Sequence, residues 1–169
     1  MDHCAAAGAQ KRITGYTYTF HPNLELATLV VDGPLPGTVD RTTYTYDTQG
    51  RLTRVTNPLG HAVQYLAYNA LGQPGRSIDA NGLNTYFSYD AKGRTTQVRV
   101  AGPGGDRIWA TTYRPDDQVA TLADPTGLTR TYLYDGIGRL TEVREPSPQP
   151  YGASSLDRLL ISYDSLGNV

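Results

Sequence analysis

A chain of 169 residues with 18 Gly, 11 Pro, 13 Tyr and 21 Thr, but only two Lys and three Glu, is rich in turn-formers and strand-formers and poor in helix-formers. Its formal net charge of −1 gives no general pull toward nucleic acid or an anionic membrane, and no apolar run approaches the roughly 20 residues of a spanning helix. Cys4 is the single cysteine, which excludes a disulfide framework or a thiolate metal cluster within the chain. At 38% hydrophobic, with Phe, Trp and Met numbering only four together, a core would have to lean on tyrosine and threonine.

Residues 1–12 carry no pattern and read as a tail. They lack the basic stretch and apolar run of a Sec signal peptide, which leaves specialised export routes open. From residue 13 to residue 169 the chain is periodic. Phe20-His21-Pro22-Asn23-Leu24-Glu25-Leu26 is a weak first copy of a motif that becomes plain at Tyr46-Asp47-Thr48-Gln49-Gly50-Arg51-Leu52. Tyr68-Asn69-Ala70-Leu71-Gly72-Gln73 is a decayed copy, and Tyr89-Asp90-Ala91-Lys92-Gly93-Arg94-Thr95 a full one. Tyr113-Arg114-Pro115-Asp116-Asp117-Gln118 is decayed again, Tyr134-Asp135-Gly136-Ile137-Gly138-Arg139-Leu140 is full, and Tyr163-Asp164-Ser165-Leu166-Gly167-Asn168-Val169 ends the sequence. The steps between copies are 26, 22, 21, 24, 21 and 29 residues, the longest spanning a proline-rich insertion at 146–155.

Midway between these copies lie Asn57-Pro58-Leu59-Gly60, Asp79-Ala80-Asn81-Gly82 and Asp124-Pro125-Thr126-Gly127, with Ala101-Gly102-Pro103-Gly104-Gly105-Asp106 as a looser version. Each unit of about 22 residues therefore reads as strand, turn, strand, turn, with strands of about 6–8 residues. An Asx at the first turn position caps a backbone N–H two residues on, and a glycine at the fourth supplies φ > 0. The pair predicts a type I turn followed by a glycine bulge, with Gly50, Gly93 and Gly138 at positive φ. Tyr44 and Tyr46, like Tyr132 and Tyr134, stand two apart on one face, so stacking at the repeat interval predicts tyrosine ladders. After the turns, Leu52 and Val55, and likewise Leu140 and Val143, are three apart rather than two, which points to a bulge near the glycine.

The repeated Tyr-Asp-x-x-Gly-Arg-Leu, followed about 15 residues later by Asp/Asn-Pro-x-Gly, resembles the bacterial Rhs or YD-repeat family, with animal teneurins as distant relatives. The resemblance covers nearly the whole chain from about residue 16. It implies an all-β fold, a curved antiparallel sheet of β-hairpins forming part of a spiral cocoon, here roughly a dozen strands. It further implies a structural shell segment that encapsulates and helps deliver a C-terminal toxin in interbacterial competition, often through a type VI secretion apparatus. The partners implied are the remainder of the shell, the enclosed toxin domain and secretion proteins. The setting implied is a bacterial protein, exported or held at the cell surface. A complete core of this family is several times longer, so the chain reads as a fragment.

The expected structural residues are Tyr46, Asp47, Gly50 and Arg51, Tyr89, Asp90, Gly93 and Arg94, Tyr134, Asp135, Gly138 and Arg139, and Tyr163, Asp164 and Gly167. No catalytic residue, metal ligand or cofactor is expected. Asp124-Pro125-Thr126-Gly127-Leu128 looks like the family's aspartyl autoprotease cleavage sequence, yet it also matches the ordinary mid-repeat turn at Asn57, and the turn is the favoured reading. One Asp per turn beside an Arg does not converge oxygens on a calcium ion, so Asp47, Asp90, Asp135 and Asp164 read as turn caps. Arg51, Arg94 and Arg139 are expected to pair with Asp or stack on tyrosine. His3, His21 and His61 lack metal-ligand spacing, and Cys4 has no base beside it. The alternative function is a cell-surface module whose tyrosines bind carbohydrate. Strands near Tyr16–Phe20 and Leu156–Tyr163 are expected to be open edges without lysine guards, prone to self-association.

Overall fold

A computed structural model describes residues 13–146 and 156–169. The expected tail at 1–12, with His3 and Cys4, and the proline-rich insertion beyond Pro146 lie outside the described residues. The chain divides into two compact units, the first ending at Gly82 and the second beginning at Leu83.

The first unit is an antiparallel meander of β1 (Gly15–Phe20), β2 (Leu26–Asp32), β3 (Thr42–Tyr46), β4 (Leu52–Thr56), β5 (Ala62–Tyr68) and β6 (Pro74–Ile78). The second holds β7 (Asn84–Tyr89), β8 (Thr95–Val100), β9 (Arg107–Tyr113), β10 (Val119–Ala123), β11 (Thr129–Tyr134), β12 (Leu140–Pro146) and β13 (Leu156–Leu160), again paired in chain order. The fold is all-β and antiparallel, as the repeat pattern requires. The strands run to 5–7 residues, slightly shorter than expected, because the turn boxes take up five residues each.

The spacing of three in the even strands has the expected cause. Tyr44 faces Val55 and Tyr46 faces Leu52, so Leu52 and Val55 share a face although three residues apart. Thr53 is the extra residue, and its Oγ1 donates to the Thr45 carbonyl at 3.1 Å. The same shift recurs where Tyr132 faces Val143 and Tyr134 faces Leu140, with Thr141 bulged. Corresponding shifts occur at Phe20, Tyr89 and in β10, and all lie beside Tyr-Asp-type turns. A bulge tightens local twist, so each of these hairpins is bent at the same end.

Two expectations need correction. Among the described residues none is buried, so there is no core. Within each unit every strand packs only on its sequence neighbours, and a side chain is covered by its row-mates rather than by a second layer. Nor do tyrosines ladder on tyrosines. Tyr44 lies between Leu29 and Val55, Tyr18 opposite Leu29, and Tyr132 opposite Val143. Each repeat contributes two strands, so aromatic odd strands alternate with aliphatic even ones. The opposite face of the first unit is polar, with Thr19, Thr28, Thr45, Arg54 and Gln64 in one row.

Candidate functional site

The chemistry-bearing residues collect in the turns. In each Tyr-Asp turn the Asp N–H donates four residues ahead and the Gly N–H donates back to the Asp carbonyl, as in Asp47 N to Arg51 O at 2.9 Å and Gly50 N to Asp47 O at 3.0 Å. Gly50, Gly93, Gly138 and Gly167 have φ of 75°, 79°, 85° and 85°. This is a type I turn closed by a left-handed residue. Asp47 Oδ1 accepts from the N–H groups of Gln49 and Arg51 at 2.9 and 3.0 Å, and Oδ2 accepts from Arg51 Nε at 2.7 Å. Asp90 with Lys92 and Arg94, and Asp135 with Ile137 and Arg139, repeat the arrangement within 0.3 Å or less of those lengths. In the last copy Asn168 stands where the Arg would be, and its side-chain amide donates to Asp164 Oδ2 at 3.0 Å.

The carboxylates are held below their ordinary range. For Asp47 and Asp90 the guanidinium hydrogen bond is the chief cause, and for Asp135 it is the Arg139 backbone N–H, with the guanidinium next. Such groups are turn caps with their lone pairs already engaged. No group of three or more His, Cys, Asp or Glu able to hold a metal occurs among the described residues.

The arginine has a second partner that lies one repeat onward. Arg51 lies 4.9 Å from the Tyr68 ring centroid, Arg94 4.4 Å from Tyr113, and Arg139 4.3 Å from Tyr163. Each of those tyrosines also donates its hydroxyl to the residue after the Arg. Tyr68 reaches the Leu52 carbonyl, Tyr113 that of Thr95 at 2.8 Å, and Tyr163 that of Leu140 at 2.9 Å. Asp, Arg and the next Tyr thus form a clamp that ties successive turns along one end of the strands. Cation–π stacking at partly exposed sites contributes about 0.5–1 kcal/mol per clamp, with the hydroxyl bond of similar size.

The decayed copy at 113–118 keeps the clamp by exchanging roles. Gln118 occupies the Arg place, and Arg114, at the Asp place, stacks on Tyr134 at 5.4 Å. Tyr134 still donates to the Val119 carbonyl, at 2.9 Å, and Gln118 Nε2 donates to the Gly138 carbonyl. Asp117 stands in the glycine place at φ 69°, held by Lys92 Nζ at 2.5 Å and Arg94 Nη1 at 2.7 Å. Leu24, at φ 67°, fills that place in the first turn. Sequence reasoning had no glycine signal at these two positions. It also passed over the loop between β2 and β3, where Asp40 Oδ2 accepts from Leu35 N at 2.8 Å and Arg41 pairs with Asp32 at 2.9 Å.

At the mid-repeat turns Asn57, Asp79 and Asp124 play the capping part. Asp124 Oδ1 accepts from Thr126 Oγ1 at 2.6 Å, Thr126 N at 2.8 Å and Leu128 N at 3.2 Å, and the Thr126 hydroxyl leads in holding its carboxyl below the usual range. A shared-proton aspartyl pair needs the opposite, one carboxyl kept neutral. His21 Nε2 lies 3.0 Å from the Tyr46 carbonyl, a turn-to-turn bond in the place of the missing arginine. A groove of about 510 Å³ beside Asp90 and Arg94 is bordered by Ser88, Gln97 and Tyr113, and its two charges are paired with each other.

The RHS Repeat family model matches residues 37–62 and 113–149. No curated protein matches the chain by sequence. Among solved structures, the crystal structure of TcdB2-TccC3 without its hypervariable C-terminal region aligns with a TM-score of 0.56 at 16% identity, over 84% of this chain and 7% of that one. The TcdB2-TccC3-TEV structure aligns with a TM-score of 0.56 at 14% identity, over 93% of this chain and 10% of that one. The chain therefore spans a tenth or less of the length of these neighbours, and at such identities the likeness is one of fold. The matched residues contain the Asp47 and Asp135 boxes, the places where the clamp repeats, and the chain is a member of the Rhs, or YD-repeat, family.

Proposed function

We propose that residues 13–169 form one wall segment of an Rhs-type β-cocoon that encloses a C-terminal toxin domain and helps deliver it to competing bacteria, by a specialised export route of the type VI kind. The observation that carries this reading is the clamp. The chemically versatile side chains of the Tyr-Asp motif are spent on one another, Asp on its own turn and Arg, Arg on the next Tyr, and Tyr on a carbonyl. In this reading Tyr46, Tyr89, Tyr134 and Tyr163, with their Asp, Gly and Arg partners, are pins of a wall, and the chain is not an enzyme. Its partners are further shell, the enclosed guest and secretion proteins.

Carbohydrate binding is the second reading, and Tyr16 and Tyr18, 59% and 53% exposed, are what favours it. Tyr68, Tyr113, Tyr134 and Tyr163 offer less to a sugar, because each ring carries a guanidinium and each hydroxyl is committed. The test is limited proteolysis of the gene product expressed with its flanking coding sequence. The guest domain should resist protease while the wall is whole and become cleavable when the β3–β4 hairpin is deleted. Equal cleavage in both refutes containment, and saturable glycan binding abolished by Tyr16→Ala with Tyr18→Ala replaces it with adhesion.

A further inference from the structure

Among the described residues β1 pairs with β2 alone, and all six of its residues are exposed. Tyr16, Tyr18 and Phe20 stand two apart on one face at 59%, 53% and 62% exposure, and β1 carries no charged residue to discourage pairing. The outer strand of the second unit differs. Its sequence includes Asp157 and Arg158, and Arg158 Nε lies 3.5 Å from Glu142 Oε1. The two expected edges are therefore unlike, and β1 is the receptive one.

The registers state what β1 accepts. On its covered side Tyr18 faces Leu29 and Tyr16 faces Val31. Tyr44, in the next odd strand, has aliphatic residues on both sides, Leu29 and Val55. Phe87 faces Val98, Tyr132 faces Val143 and Tyr134 faces Leu140. Within neither unit does an aromatic residue stand directly opposite another.

We infer that the open edge of β1 is the docking site of a β-strand of the even type, with aliphatic residues at the two alternate positions opposite Tyr16 and Tyr18. The occupant continues the row that runs through Leu29, Tyr44 and Val55, and adds main-chain hydrogen bonds along the edge. Naming it as a neighbouring strand of the wall rests on the shell reading. A second copy is a poor occupant, since β1 against β1 sets aromatics opposite aromatics, and β1 against β13 brings Asp157 and Arg158 to an apolar row.

The experiment adds to the whole chain a synthetic peptide of residues 26–32, whose Leu29 and Val31 face this aromatic pair in the native register. A control peptide carries Leu29→Ser and Val31→Ser. Hydrogen exchange locates binding, and titration measures it. Slowed exchange at 15–20 is expected, together with a loss of about fivefold or more in affinity for the serine peptide and for a Tyr18→Lys protein. Thr17→Ala, on the other face, should bind as the parent does, which shows that the variants fold. Equal binding of both peptides, no binding, protection at 156–160 instead, or concentration-dependent protection of 15–20 without peptide overturns the inference. Guest cleavage with peptide binding intact defeats the shell reading alone, and equal binding of the serine peptide defeats this inference alone.

Discussion

Gly138, Gly127 and Leu24 occupy the same turn position with different surroundings, so substituting all three separates backbone strain from packing. Gly138 has φ 85°, and an added Cβ would come within 2.9 Å of Gln118 Nε2, the group that donates to its own carbonyl. Gly127 has φ 89° and nothing within 4 Å of such a Cβ. A left-handed non-glycine residue costs about 1–2 kcal/mol, and replacing glycine by alanine returns about 0.4–1 kcal/mol by stiffening the unfolded chain. Gly127→Ala should therefore destabilise by about 1 kcal/mol. Gly138→Ala should cost about 1 kcal/mol more, because Gln118 must move and its hydrogen bond is lost. Gly138→Val adds the constraint of a β-branched side chain and should be worse still. Leu24, 84% exposed at φ 67°, loses no packing on mutation, so Leu24→Gly should stabilise by about 0.5–1 kcal/mol. Urea unfolding followed by circular dichroism, fitted for midpoint and slope, measures all three. Equal losses for the two glycines, or a destabilising Leu24→Gly, would refute the reasoning.

Arg94→Ala should cost about 1–2 kcal/mol in the same assay, and Arg94→Lys should recover less than half, because the planar fork to Asp90 and the stacking on Tyr113 need a guanidinium. The acid limb follows from the turn caps. Asp47, Asp90 and Asp135 have folded pKa values below the ordinary 3.8, so their contribution is full above that value and is lost as pH falls through the lower folded ones. The melting temperature should hold down to about pH 4 and then fall, and Asp47→Asn with Asp135→Asn should flatten that limb. Purified protein should keep its full mass for days at neutral and mildly acidic pH, and mass spectrometry showing a cut after Leu128 that Asp124→Asn abolishes would establish the autoprotease instead. Tyr134→Phe, which removes the donor to the Val119 carbonyl, should cost about 0.5–1.5 kcal/mol and speed exchange in the turn at 135–139.

Local chemistry was legible in the sequence by itself. The Asp-x-x-Gly spacing located the turns because capping and positive φ act within five residues, and the interval of three between Leu52 and Val55 already required the bulge that Thr53 supplies. Family membership was legible for the same reason, since repetition multiplies a local signal. The tertiary structure alone decided what depends on partners about 15–25 residues away. Arg51 meets Tyr68, and Arg114 rather than Gln118 meets Tyr134, because register selects which residues of successive turns face each other. It also decided that Leu24 and Asp117 take glycine's conformation, the latter pinned by Lys92 and Arg94 from the neighbouring turn. Composition counted apolar residues enough for a core, but pairing in chain order spreads them along an uncovered face, and burial is a property of what packs on that face rather than of how many residues seek it.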